Sequence, residues 1–506
     1  ENQAVAMADG YARATGRTGY ATVTGGPGFS NALSAIHTAH RAGSPVVVIA
    51  GAGSPAENDR ETGVARRSLG VSWLKQFPQA ATLGLLGIPA FKPFDAASAA
   101  ATTRAALAKG RSATTVLILA RPLLLDAAPA VEAAPQSASA AKDAAIDSDQ
   151  IAAVADLLGE TWAINRPLIL AGRGAHLSGA ASALKRLAEL TGALLATSLP
   201  ATDLFDGDPY NIGLCGTYAT PVASDLIPQA DCVLSFGATL NPYTTYSNSL
   251  FPRAHVIQVD SHAAALGLFR EVDLGITGDA RLVAEALVAE LEKRGHVAEG
   301  FRTAEVRSAI AGFAVDADHV DRSTDKLIDP RTLMLELNRI LPAGRVLSID
   351  GGQHARFAIR NMRVNNPRNF MQAVDAGSIG LAMGTGVGAA VGRPGETIVV
   401  CVGDAGMMMA LGDLETAVRL KLPLLVVVSN DAALGAEVNV LADLGMDTAQ
   451  AEIPAPSFEA IARSMGAQAA IVRSRKDLEV VKSWLASPGG TPLVIDCRVN
   501  PEVRTR

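Results

Sequence analysis

The apolar positions of this chain fall into short unbroken runs. "ETIVVCV" (396–402) and "PLLVVVS" (423–429) contain almost no polar residue and are rich in β-branched side chains. Runs of that length and character suit strands buried on both faces, as in a parallel sheet. The segment between them, Met407 to Leu422, has helical length and good helix formers, so the unit reads strand, helix, strand. The same grammar recurs upstream. "GYATVTGG", "SPVVVIAG" and "ATTVLILA" mark strands in a first region, and "RPLILAG", "GALLATS", "CVLSFGA" and "HVIQVD" mark strands in a second. The pattern therefore predicts an α/β chain of three doubly wound parallel-sheet domains, at 1–128, 149–295 and 329–506. An Ala, Pro and Ser-rich linker (128–145) and a polar stretch (296–328) separate them.

Composition narrows the class. A chain of 506 residues is too long for one core, and 49% hydrophobic with 19% charged residues fits large buried sheets. The net charge of −6 argues against a nucleic-acid surface. The longest apolar runs are strand-sized, so no membrane span is expected. Cys215, Cys232, Cys401 and Cys497 lack metal-ligand spacing and read as reduced core residues of a cytoplasmic protein. The opening "ENQAVAMADGYARATG" is already an amphipathic helix with no strand before it, which predicts a further N-terminal piece in the natural chain.

Chemistry is expected where the third region's strands end. In open parallel sheets, ligands bind beyond the carboxyl ends of the strands, and both Asp404 and the pair Asn430-Asp431 stand at such ends. A Gly-Asp before a helix lets backbone amides approach a phosphate while the carboxylate binds a hard cation such as Mg²⁺. The plainer alternative is a helix cap at Gly403-Asp404.

These residues resemble the signature of the thiamin-diphosphate enzymes: a Gly-Asp-Gly, a helix and a strand, then an Asn-Asn pair. The resemblance implies Mg²⁺ held by Asp404, Asp431 and the Ala433 carbonyl, with Gly403, Ala405 and Gly406 near the diphosphate. Two positions depart from the pattern. Ala405 replaces a glycine, and Asp431 replaces an asparagine, adding a negative charge beside the metal. The opening helix resembles the one that carries the family's catalytic glutamate, on Glu1, with the flanking Gly10-Tyr11-Ala12-Arg13. There a carboxyl group bonded to the pyrimidine ring promotes the tautomer that deprotonates the thiazolium; otherwise Glu1 is one glutamate on a solvated face. "GGPGFSN" (25–31) resembles the loop beside the pyrimidine, with Pro27 and Asn31 as contacts, and also fits a tight turn. "SIDGGQHARF" resembles the diphosphate-binding strand end of acetolactate synthases, which implies Gly352, Gln353 and His354 as contacts, against a purely structural histidine. "DAGSIGLAMG" resembles the segment under the bent cofactor. Ile379 would be the wedge, with Ser378 beside it and the Gly377 carbonyl accepting from the amino group; Ile379 could equally be core. Glu437 matches a proton-handling glutamate of pyruvate-type decarboxylases, or is an exposed helix residue.

The likeness runs along the whole chain and is nearest to the acetolactate synthase large subunit. It implies a pyrimidine-binding, a central and a diphosphate-binding domain. The expected activity is decarboxylation of a pyruvate-like 2-oxo acid, with transfer of the acyl carbanion to a proton or a second carbonyl compound. A benzaldehyde-lyase-like or 2-hydroxyacyl-CoA-lyase-like carboligase, or a cofactor-binding protein without turnover, are the alternatives. The substrate features of acetolactate synthases are absent from "NDRETGVARR" and "FGATLNPYTT". The central "AGRGA" fits either an FAD cradle or a structural turn. The resemblance further implies a homodimer or homotetramer whose active sites are shared between subunits; the under-polar helix of "GSIGLAMGTGVGAAVG" is compatible with that.

Overall fold

A computed structural model describes residues 1–52, 77–120, 123, 147–161, 164–317, 319–454 and 456–504. The "NDRETGVARR" stretch and the 128–145 linker lie outside the described residues. Among the described residues, sixteen strands form three sheets, parallel throughout.

The first sheet has the order β1-β2-β4-β3, from Gly19–Val23, Val46–Ala52, Ala90–Phe91 and Thr115–Ala120 (β1 to β4). The central sheet comprises β5 (Pro167–Ala171), β6 (Leu194–Thr197), β7 (Asn211–Leu214), β8 (Cys232–Phe236), β9 (His255–Asp260) and β10 (Leu274–Thr277). Its order is β10-β9-β8-β5-β6-β7, so the direction of winding reverses between β5 and β8. The third sheet comprises β11 (Val346–Ile349), β12 (Phe370–Gln372), β13 (Ile398–Gly403), β14 (Leu424–Asn430), β15 (Gln468–Val472) and β16 (Leu493–Arg498), in the order β12-β11-β13-β14-β16-β15. The apolar runs of the sequence are its central strands. All seven residues of β14 are buried, as a strand covered on both faces requires. The four cysteines are buried and free.

Three sheets make two compact units. The central sheet belongs to one unit, while the first and third belong to the other. What joins that second unit is a helix pair. α1 (Asn2–Thr15) buries Val5, Ala6, Ala8 and Ala12, and a later helix, Ala382–Gly392, buries every residue from Ala382 to Ala390. Small residues let the two backbones approach closely. A Cβ on Gly10 would lie 2.0 Å from the Thr385 carbonyl oxygen, and one on Gly388 would lie 1.9 Å from that of Met7. The under-polar helix is thus covered within its own chain, and a shared site between subunits rests on the resemblance alone.

A paired measurement checks this contact. Gly388→Ala should lower stability by at least the ~1–3 kcal/mol of ordinary overpacking, because the obstructing atom is backbone. Gly412→Ala, with nothing within 4 Å of the new carbon, should be neutral or stabilising by about 0.5–1 kcal/mol. Equal thermal midpoints for the two variants would remove the close approach.

One expected element differs. The helix anticipated from Met407 to Leu422 is two helices, Asp404–Met409 and Leu411–Arg419, broken at Ala410 (φ −115°, ψ 14°). The break lets Met407 and Ala410 from the first piece and Leu414 and Ala417 from the second reach one core.

Candidate active site

The site begins at the ends of β13 and β14. Their register pairs Gly403 with Ser429, which sets Asp404 beside the turn that follows Asn430. Asp404 is 4% exposed. Its Oδ1 accepts from the Ala405 amide at 2.7 Å, and its Oδ2 has no partner among the described residues. Burial raises its pKa, against the amides of Ala405, Ala432 and Ala433. Asp431 is pushed up to about 7, by burial first and then by the charge of Asp404. Two buried carboxyl groups, one raised by the other's charge and one with an orphaned oxygen, are what a divalent cation would relieve.

The turn carrying Asp431 is sharply folded. Ala432 has φ 60°, a left-handed conformation that costs a non-glycine residue about 1–2 kcal/mol. It is held by a bridge to a neighbouring segment, with Leu434 donating to the Ala451 carbonyl and Ile453 to that of Ala432, both at 2.8 Å. The Ala433 carbonyl takes no part in that bridge. Beyond the turn, a Cβ on Gly435 would meet Asp431 Oδ2 at 2.3 Å.

The end of β11 forms the second wall. Gly352 has φ 121°, a backbone state open only to glycine. His354 is buried against Gly352 and Gly403. Burial lowers it to about 4, so it is a neutral imidazole, and its Nε2 has no partner among the described residues. The Cys401 carbonyl accepts from the ring's other nitrogen, so in the neutral ring Nε2 carries the lone pair and donates to a phosphate oxygen only once that anion's charge favours its protonation. Gln353 is already engaged: Asn439 donates to its Oε1, and its Nε2 donates to the Val503 carbonyl at 3.2 Å.

The segment 377–380 lies across these strand ends, and Ile379 touches the space a Cβ on Gly351 would fill, at 3.1 Å. From the first sheet's side, Gln3 donates to the Gly380 carbonyl at 2.6 Å, and the Thr38 and Ser378 hydroxyls lie 3.4 Å apart. Glu1 Oε1 sits 3.2 Å from the position of a Cβ on Gly28, so its side chain crosses the "GGPGFSN" loop. Pro27 opens the helix Pro27–Arg41 at its N-terminus, and both it and Asn31 are exposed. Glu1, the loop at 25–31, the segment at 377–380, and the ends of β11, β13 and β14 therefore belong to one compact unit of a single chain. Glu437 lies exposed in the first turn of the helix Gly435–Asp443.

Sequence reasoning missed two buried acids. Asp413 is pushed up to about 7 by burial. Asp350, fully buried, accepts from the Gly380 amide at 2.7 Å through Oδ2, while its Oδ1 is unpartnered among the described residues. It ties the end of β11 to the segment under the expected cofactor, and a Cβ on Gly406 would meet its Oδ2 at 2.3 Å. Burial raises Asp350 from 3.8 to about 6. A raised carboxyl favours the fold fully below the unfolded value, and the advantage is lost as pH climbs through about 6. Asp350→Asn stays neutral and keeps an acceptor for Gly380. In cofactor-free protein its stability relative to the parent should therefore rise from pH 5 to pH 7.5, by on the order of 1–3 kcal/mol. A difference in thermal midpoint that does not change with pH would contradict this.

In the central sheet, the "AGRGA" turn follows β5 at the reversal point. The Gly172 amide donates to the Phe236 carbonyl at 2.8 Å and the Gly174 amide to that of Gly237 at 3.0 Å. Amides that could have cradled a phosphate are thus spent on the end of β8, which supports the structural-turn reading.

Strand-end carboxylates, glycine-lined strand ends and an acid beside the 25–31 loop of the same compact unit are the features that a site for a phosphorylated cofactor needs. Comparison with known families makes it specific. Models of the thiamine pyrophosphate enzymes match at residues 1–79 (N-terminal TPP binding domain), 151–287 (central domain) and 350–497 (C-terminal TPP binding domain). The chain belongs to the thiamine pyrophosphate enzyme family. It is 29% identical to a sulfoacetaldehyde acetyltransferase of Castellaniella defragrans, over 94% of this chain and 81% of that protein. It is 28% identical to an acetolactate synthase large subunit of Parasynechococcus marenigrum, over 97% and 78%. To the isozyme 2 large subunit of Escherichia coli K12 the identity is 26%, over 86% and 75%. Among the described residues, no helix is long and apolar enough to cross a membrane.

Proposed function

We propose that this chain is a thiamin-diphosphate- and Mg²⁺-dependent enzyme that breaks the bond beside the carbonyl of a small 2-oxo acid or aldehyde and passes the acyl unit to an acceptor. One observation carries the reading: Glu1 crosses the 25–31 loop while the next turn of its helix, through Gln3, holds the Gly380 carbonyl, in the same compact unit as the Asp404 and Asp431 carboxylates. Bound there, thiamin diphosphate would supply a thiazolium carbanion and an electron sink.

The protein's own groups do the rest. Asp404, Asp431 and the Ala433 carbonyl would hold the cation, and His354, once protonated beside the phosphate charge, would donate to it through Nε2. The segment Gly377 to Gly380, tied at Gly380 to Asp350 and Gln3, would support the cofactor. Glu1 would exchange a proton with the pyrimidine nitrogen. Glu437, exposed at the rim, is the candidate for proton traffic with substrate.

A second reading of the substrate has its own support. Relatives called sulfoacetaldehyde acetyltransferase, at 29% and 28% identity, cover 94% of this chain, which favours an acetyl transfer beginning from a charged aldehyde over decarboxylation of pyruvate. The test is a panel of 2-oxo acids and sulfoacetaldehyde, each with and without an aldehyde or phosphate acceptor. It follows CO₂ or sulfite release and the acyl product. Turnover with any donor that requires both cofactor and Mg²⁺ supports the reading. Cofactor bound with no turnover across the panel would favour the binding-protein alternative.

The homo-oligomer belongs to the same proposal. Were sites shared between subunits, mixing inactive Glu1→Gln and Asp404→Ala chains would restore some activity. With each site inside one chain the mixture stays inactive.

A further inference from the structure

We propose that the paired carboxylates Asp404 and Asp431 take up a divalent cation without the diphosphate, so that this chain loads its metal first. The inference rests on the function proposed above for the identity of the site and adds the order in which it fills.

The donor set carries the argument. Asp404 is 4% exposed and keeps Oδ2 unpartnered, while Oδ1 is tied to the Ala405 amide at 2.7 Å. Asp431 stands at the end of the adjacent strand, where the Gly403–Ser429 register brings the two ends side by side. Gly435 leaves the space that Asp431 Oδ2 occupies, since a Cβ there would come within 2.3 Å. Neither carboxylate is neutralised by a lysine or arginine among its nearest influences. A site with one carboxylate and one amide would depend on phosphate oxygens for most of its negative charge. With a second carboxylate at 431 the protein itself brings two acidic groups to a dication, which can displace their protons and take both as hard oxygen ligands. Carboxylates with no cation beside them also oppose a diphosphate that arrives alone, since like charges close together in a partly dry site repel. Metal first, then diphosphate, is the order that this charge pattern favours.

Mn²⁺ alone is the probe. Paramagnetic resonance of free Mn²⁺, titrated into cofactor-free protein, should show one site per chain with affinity on the order of 10⁻⁴ M or tighter. Asp431→Asn preserves shape and removes the charge. It should weaken Mn²⁺ binding at least tenfold without thiamin diphosphate, and by a smaller factor with it. Gly435→Ala, which crowds Asp431 Oδ2, should weaken it as well and decides the matter if the first variant fails to fold. Absence of binding up to millimolar Mn²⁺, or an unchanged affinity in a folded variant, overturns the proposal. The outcomes separate from those of the proposed function. Mn²⁺ bound without any uptake of thiamin diphosphate would sink the functional reading and leave the metal site standing. Joint binding of cofactor and metal, with no metal bound alone, would sink only the order of loading.

Discussion

Glu1→Gln should leave thiamin diphosphate bound and remove most of the turnover. The two side chains are nearly the same size, and Glu1 reaches the space beside Gly28 from the N-cap of its helix, outside the helix's buried face. Packing should therefore survive the change. What is lost is the exchangeable proton. A carboxyl group can hold and return a proton at the pyrimidine nitrogen, whereas a carboxamide cannot. General acid–base groups contribute about 10²–10⁴-fold, so kcat should fall by that factor while the cofactor's dissociation constant moves by less than about threefold. The measurement reads kcat at saturating cofactor and binding by fluorescence quenching. A loss of turnover below about tenfold would assign Glu1 to the helix surface. Equal losses in binding and turnover would make it a structural residue.

Why the sequence singles out Glu1 as a candidate, and passes over Asp350, has a physical reason. Glu1 is flanked by a helix whose pattern of small and apolar residues is itself distinctive, and Asp404 and Asp431 follow apolar runs that can only be buried strands. Each of those acids is marked by its immediate neighbours. Asp350 also follows a strand, yet its importance comes from Gly380, thirty positions on in the chain, whose amide it accepts at 2.7 Å. Only the folded chain puts the two together. The same holds for the break at Ala410, which serves a core assembled from residues on both sides of it. The parallel sheets were legible because residues buried on both faces leave an unbroken apolar run, and β13 and β14 lie where those runs fall. The joining of the first and third sheets into one unit was not, because the close approach of Gly10 and Gly388 depends on two helices far apart in sequence. Gln353 shows the opposite case. Its place in the motif implies a phosphate contact, while the structure commits both ends of its amide to Asn439 and Val503.

Asp404→Ala should abolish cofactor binding at micromolar concentration, a larger effect on binding than any other single change in the site. The reason lies in the order of charges. A diphosphate carries several negative charges, and the ends of β11, β13 and β14 offer it backbone amides, the neutral His354 and no lysine or arginine among the residues assigned to the site. The cation must supply the compensating charge. Asp404 is the ligand set deepest, at 4% exposure, with an oxygen that has no other partner among the described residues. Removing it leaves Asp431 as the sole charged ligand, on a turn held in a left-handed conformation at Ala432. Losing one hard anionic ligand from a site that holds Mg²⁺ through few protein oxygens should weaken the metal by at least 10²-fold, and the diphosphate with it. Stability should move the other way. Burial raises the pKa of Asp404, so in the metal-free protein its charge is a cost that alanine relieves, and the apo variant should unfold at an equal or higher temperature than the apo parent. A variant that loses the cofactor together with its fold would show only that Asp404 is structural. A variant that keeps the cofactor with micromolar affinity would place the metal somewhere other than the ends of β13 and β14.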